Sequence, residues 1–249
     1  MQPARDVRAV LFDFFGTLVT YQPDRLHLDY PDTALMLHRW GYENAGERFA
    51  EVWNAVLRTL ELTTSGALVE FSMNDVVTAY DDTEQLGLTE DQRSELLESF
   101  MREWNVGVLP IDGVCDVLDA LGDTVQLGIV ANTHDPALIP SILDRFHLAQ
   151  FDTNPFDPIV LSVTHGHRKP HPSIYVAAFD ALAAQQRRTT PDAPRLEPAD
   201  VLFVGDTYDA DYTGPLAAGF QARLIDPGHR HRIPDEHRLQ SVLDLPNHV

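Results

Sequence analysis

Short apolar runs separated by stretches of helical periodicity restrict the fold of this chain more than any other feature. Val10-Leu11-Phe12, closely followed by Phe14 and Phe15, makes the segment Arg8–Phe14 a near-continuous apolar run. A strand of that kind is buried on both faces. Further runs occur at Val125–Ala131, Ile159–Val163, Val201–Val204 and Gln221–Ile225. Between them, apolar residues recur at helical spacing over Ile111–Leu121, Ala137–Phe146, Ser173–Gln186 and Tyr212–Ala218. Pro136 and Pro172 stand near two helix starts, a favoured place for proline, and Gly219 ends a third helix. Thr189–Pro198 carries three prolines and reads as a loop. Strands alternating with helices predict an α/β fold, a Rossmann-like parallel sheet with helices on both faces. The tail from Asp226 onward reads as loop, with a short helix near Leu239–Leu243.

The stretch 21–108 breaks this alternation. Helical periodicity covers Thr33–Trp40, Ala45–Leu62, Met73–Leu86 and Thr89–Trp104, with no strand pattern among them. Phe49, Val52, Trp53, Val56, Leu57 and Leu60 are spaced by threes and fours. Thr89 with Gln92 three residues later is a capping-box start. The expectation is an α/β core from residues 1–20 and 109–249, with an all-helical domain, 21–108, inserted after the first strand.

Composition narrows the partners. The 249 residues include 18 Lys and Arg against 38 Asp and Glu, a formal charge of −20. That balance predicts no nucleic acid and no anionic membrane surface as partner. No apolar run approaches the ~20 residues that cross a bilayer, and the first residues are charged, without a signal-like apolar stretch. With Cys115 as the single cysteine, the setting expected is cytoplasmic. Cys115 itself reads as a buried structural thiol on a helix. Oligomeric state is open.

Three apolar runs end in chemistry-bearing residues, and in open α/β sheets ligands bind outside the strand carboxyl ends. Asp13 precedes a Gly16-Thr17 turn; a carboxylate there can act as a nucleophile or simply cap the turn. Asn132 and Thr133 follow Val125–Ala131 and offer polar groups to an oxyanion, or close an ordinary turn; Asp135-Pro136 then starts a helix. Lys169 can steady both a carboxylate and an anionic substrate, or be a solvated loop lysine. Asp206 and Asp211 supply hard oxygen ligands of the kind Mg²⁺ takes, or cap the following helix. Clustered carboxylates repel unless a cation joins them. His165, His167 and His171 lie close in sequence but lack the spacing of a helical metal site.

Together, Asp13-Phe14-Phe15-Gly16-Thr17-Leu18, Val130-Ala131-Asn132-Thr133, Lys169-Pro170-His171-Pro172-Ser173-Ile174-Tyr175 and Gly205-Asp206-Thr207-Tyr208-Asp209-Ala210-Asp211, with Gly214 beyond, resemble the haloacid dehalogenase-like hydrolase superfamily. The resemblance covers the chain apart from its tail and includes a helical cap inserted after the first motif. It implies an aspartyl covalent intermediate on Asp13, usually with Mg²⁺, and a small anionic substrate. By the same resemblance Asp13, the Phe15 backbone carbonyl, Asp206 and Asp211 serve the metal, the last directly or from an outer position. Thr17, Asn132 and Thr133 serve the first loop and the transferring group, and Lys169 pairs with Asp13 and the substrate.

Two positions depart from the phosphatase pattern. The acid–base aspartate expected two residues after the nucleophile is Phe15, and the hydroxyl residue expected before Asn132 is Ala131. Halide leaves without a proton, so Phe15 points towards metal-independent 2-haloacid dehalogenation. Arg25 and Arg39 are candidates to hold the halide. Asp206 points to a metal-dependent phosphatase on a small metabolite, with an acyl phosphate tolerating Phe15. A catalytically weak relative that binds a ligand is the third reading.

Overall fold

The computed structural model describes residues 6–20, 29–148 and 156–247. Arg25 lies outside them. The chain divides into two compact units, Met1–Thr20 with Leu109–Val249, and Tyr21–Val108.

The first unit is built on a six-stranded parallel sheet. Its strands are β1 (Ala9–Phe12), β4 (Gln126–Ala131), β5 (Phe156–Leu161), β6 (Val201–Gly205), β7 (Gln221–Ile225) and β8 (Arg238–Leu239), in the order β5-β4-β1-β6-β7-β8. A separate antiparallel pair, β2 (Val19–Thr20) and β3 (Leu109–Pro110), closes the neck where the chain leaves and re-enters this unit. All four residues of β1 are fully buried, as their apolar run demands. The chain fills one side of β1 first, then crosses back to place β6 on the other. That reversal is the kind of point at which open α/β sheets bind ligands.

Alternation along the strands sorts the core. Ala9 and Leu11 of β1, Val130 of β4 and Val201 and Phe203 of β6 pack with Ile174, Tyr175, Ala178 and Leu182 of helix α9 (Pro172–Thr189). Val10 and Phe12 face the other way and are equally buried. Phe12 meets Phe156 edge to face, ring centroids 6.3 Å apart.

Several elements differ from the sequence expectation. β5 starts at Phe156 and contains Pro158, whereas the pattern began it at Ile159. β5 is an edge strand, where a proline without an N–H is tolerated. The tail helix expected near Leu239–Leu243 is instead β8 followed by a 3₁₀ turn over Val242–Asn247. The helix expected over Tyr212–Ala218 begins earlier, as a π-helical turn, Tyr208–Thr213, running into the short α10 (Gly214–Ala217). The helix expected over Ile111–Leu121 is α6 (Val114–Gly122), which starts late because Gly113 turns with φ 84°, and the one expected over Ala137–Phe146 is α7 (Leu138–Arg145). Cys115 of α6 is half-buried, not buried.

The second unit is helical: α1 (Pro31–Arg39), α2 (Glu43–Glu47), α3 (Phe49–Thr64), α4 (Met73–Glu84) and α5 (Glu90–Trp104). Its core gathers Tyr30, Phe49, Trp53, Tyr80 and Phe100. The helix expected over Ala45–Leu62 is broken at Arg48 into α2 and α3. At Gly46, a Cβ would lie 2.7 Å from the Ala34 carbonyl and 2.6 Å from the His38 ring, so α2 rides directly on α1. α5 opens with the expected Thr89–Gln92 capping box. Among the described residues no helix is long and apolar enough to cross a membrane.

Candidate active site

Three strand ends deliver the site. Asp13 follows β1 directly, Asn132 follows β4 and Asp206 follows β6. Phe12 is in register with Val204 and Ile129, so these ends lie side by side. Lys169 arrives from β5 by way of the short helix α8 (Ser162–His165).

The first loop tightens at once. Thr17, Leu18 and Val19 all send their N–H groups to the Phe14 carbonyl, at 3.3, 2.9 and 3.2 Å. Gly16 takes φ 86°, a conformation that favours glycine. A Cβ on Gly16 would also lie 2.3 Å from Asp206 Oδ2. The backbone at Gly16 therefore runs against the Asp206 carboxylate. Thr17, fully buried, donates its hydroxyl to Asp13 Oδ2 at 3.2 Å.

Lys169 joins the acids. Its Nζ donates to Asp13 Oδ1 at 2.8 Å and to Asp211 Oδ1 at 2.7 Å. The ammonium sits 5.1 Å from the centroid of the Phe203 ring. Burial pushes this lysine down, but Asp13 and Asp211 outweigh it and hold it above its ordinary value. Asp211 is 1% exposed, and its other oxygen accepts the Thr207 N–H at 2.9 Å. Gly205 makes room for it: a Cβ there would lie 2.4 Å from the Asp211 carboxyl carbon. Burial raises Asp211, with the Asp13 charge acting in the same direction. Burial, then the Asp13 charge, raises Asp206 as well.

Three carboxylates against one lysine leave the cluster short of positive charge. One oxygen from each of Asp13, Asp206 and Asp211 lies within 4.8 Å of the others. Hard carboxylate oxygens at that spacing fit a Mg²⁺ ion. Asp211 has a donor on each oxygen, so it serves mainly as the anchor of Lys169 and of the turn.

Two sequence expectations change. Asn132 does not present its whole amide outward. Its Nδ2 donates to the Lys169 carbonyl at 3.1 Å and its Oδ1 accepts the Lys169 N–H at 2.8 Å. It brackets the lysine backbone and keeps one amide hydrogen for a ligand. Thr133 turns away: its hydroxyl donates to the Asp135 carbonyl at 3.1 Å and accepts the Asp135 N–H at 3.3 Å. Its own N–H is held by Ser162 Oγ at 2.9 Å. Ser162, which no pattern in the chain singles out, thus ties the ends of β4 and β5 together. Asp135 accepts the Ala137 N–H at 2.8 Å, the capping role read from sequence.

The histidines do not assemble as ligands. His165 Nε2 and His171 Nδ1 both contact Ser173 Oγ, at 2.7 and 2.8 Å, and His167 stacks on His171. Arg39 is exposed in the last turn of α1.

Comparison with known proteins identifies relatives of the chain. Pyrimidine 5'-nucleotidase YjjG of Escherichia coli is 29% identical over 136 residues, 55% of this chain and 53% of that protein. N-acylneuraminate-9-phosphatase of mouse is 32% identical over 96 residues, 36% of this chain and 34% of that protein. The chain thus spans about half or less of these relatives' length. Among solved structures, 2-haloacid dehalogenase from Pseudomonas syringae superposes with a TM-score of 0.60 at 22% identity, covering 97% of each chain. YfnB of Bacillus subtilis, a HAD-hydrolase bound to magnesium, gives 0.58 at 18%, covering 98% of each. At such identities the likeness shows the fold alone. The sequence profile of the haloacid dehalogenase-like hydrolases matches residues 7–219, and the chain belongs to that family.

Proposed function

We propose that this hydrolase is a Mg²⁺-dependent phosphatase acting on a small phosphorylated metabolite through an aspartyl intermediate. The observation that carries the reading is the convergence of Asp13, Asp206 and Asp211 on one point, with Lys169 bridging two of them. A halide-displacing site needs no such acidic set.

Asp13 is held by Thr17 on one oxygen and Lys169 on the other, so its carboxylate is oriented before substrate arrives. In the proposed reaction it attacks phosphorus, and the P–O bond to the leaving group breaks with its electrons going to that oxygen. Water then attacks the phosphorus of the aspartyl phosphate, which releases phosphate and restores the carboxylate. Lys169 and the free Asn132 amide hydrogen face the negative charge of the phosphoryl oxygens. Asp13 and Asp206, with the Phe15 carbonyl that the family resemblance adds, would hold Mg²⁺, which would supply further positive charge at those oxygens.

Phe15 limits which phosphates react well. It provides no proton for a departing alkoxide and no base for the water. Substrates with weakly basic leaving groups, such as acyl or aryl phosphates, are therefore favoured over alkyl esters.

The test is hydrolysis of an aryl phosphate with and without Mg²⁺. Turnover that requires the metal and is abolished in Asp13→Asn supports the reading. Chloride release from 2-chloropropionate without metal would replace it with dehalogenation, the reading that Phe15 favours. No turnover in either assay, with a ligand still raising Tm, would leave a binding protein.

A further inference from the structure

Tyr175 takes no part in the chemistry above, yet it is built into the floor of the same site. It lies on α9, is 1% exposed, and meets Phe203 edge to face at 5.9 Å. Phe203 is also the ring over which the Lys169 ammonium sits. The Tyr175 hydroxyl donates to the Ala210 carbonyl at 2.6 Å. Ala210 is buried, in the turn between Asp206 and Asp211.

The carbonyl needs that donor for a reason legible in the chain. In the π-helical turn each carbonyl accepts from the N–H five residues on. Gly214 accordingly donates to Asp209. The donor due to Ala210 is residue 215, which is proline and has no N–H. A buried carbonyl must find a partner. Glycine at 214 admits one: a Cβ there would lie 2.3 Å from the Tyr175 hydroxyl oxygen.

We propose that Tyr175 is a positioning residue, whose hydroxyl replaces the N–H missing at Pro215 and so fixes the turn that sets Asp206 and Asp211 about Lys169. The inference rests on the metal-dependent reading above. Losing the hydroxyl frees the turn to relax, which moves the two carboxylates apart without removing either. Tyr175 touches neither substrate nor metal, so its effect reaches them through the turn alone.

The test uses the full-length protein. In Tyr175→Phe, calorimetric titration with Mg²⁺ alone should show affinity about tenfold weaker, the range seen when an outer support of a metal site is lost. kcat on an aryl phosphate should fall with KM nearly unchanged. Adding Pro215→Ala restores an N–H at 215, and the double variant should regain most of the Mg²⁺ affinity. Gly214→Ala, which keeps the tyrosine but pushes its hydroxyl off the carbonyl, should reproduce the loss; it decides the matter should Tyr175→Phe not fold. Mg²⁺ affinity within twofold of wild type in both Tyr175→Phe and Gly214→Ala, while Asp206→Ala abolishes binding, overturns the positioning role and leaves the metal reading standing. Failure of Pro215→Ala to restore affinity also overturns it. A wild-type protein that binds no Mg²⁺ overturns both.

Discussion

Phe15 occupies the one position where an ordinary phosphatase of this plan needs a proton. Its ring packs edge to face on Phe14, centroids 5.1 Å apart, in the loop that carries Asp13. Replacing it tests whether that proton is what restrains the enzyme. Phe15→Asp should raise the rate on alkyl phosphomonoesters by about 10²–10⁴-fold, with a much smaller change on acyl phosphates, whose leaving groups need no help. Steady-state rates on the two substrate types check it, and an equal response of both would sink the explanation. Single residues were unevenly readable in the sequence. Asp13 and Asp206 could be picked out because each is an acid directly after a strand, whereas Lys169, eight residues past β5, stood out only through its motif. Asn132 and Thr133 follow a strand just as closely, but spacing does not reveal where a side chain turns. One brackets the lysine backbone and the other closes its own turn. Tyr175 was visible only as part of a motif, because its role depends on a proline forty residues later.

Elements were legible where their termini carry explicit signals. The α5 start, with Thr89 and Gln92, lies where the capping pattern puts it. α1 lacks a side-chain cap of its own and is served from a distance. Glu103 on α5 accepts the Asp32 N–H at 3.0 Å, the Thr33 N–H at 2.9 Å and the Thr33 hydroxyl at 2.5 Å. No local pattern announces a cap seventy residues away. Glu103→Ala should lower the unfolding free energy by about 1–2 kcal/mol, the usual effect of losing a helix cap. Urea unfolding followed by far-UV circular dichroism measures it, and an unchanged midpoint would remove Glu103 from that role. The turn carrying His165 makes a second prediction. Burial first, then the charges of His167 and His171, lower the His165 pKa below its ordinary value. The unfolded chain therefore takes up this proton first as pH falls. The stability His165 contributes is present above about pH 6.5 and is lost as pH drops below it. Tm should fall between pH 7 and pH 5, and less steeply in His165→Gln; equal slopes would show that this histidine does not titrate with folding.

At the scale of the whole chain, the long helical interruption after the first strand was plain from the change of period at residue 21 and its reversal at 109. What the pattern did not show was how the first unit seals that opening. β2 and β3, each two residues long, are too short to register as strands, yet they pair antiparallel with Thr20 opposite Leu109. Thr20 also donates its hydroxyl to the Leu109 carbonyl at 3.3 Å. The two ends of the interruption thus already face each other across a ladder, in the relation that a two-residue hairpin loop bridges. Removing residues 21–108 and joining Thr20 to Leu109 through Asn-Gly should leave the first unit folded, because its sheet and the α9 side of its core are drawn from residues that remain. Asp13, Lys169, Asp206 and Asp211 all belong to that unit, so the shortened chain should still be stabilised by Mg²⁺. Thermal melts by circular dichroism with and without the ion decide the point. A non-cooperative melt would show that the α/β unit needs the helical one to fold. A cooperative melt insensitive to Mg²⁺ would show that the acids alone do not make the site.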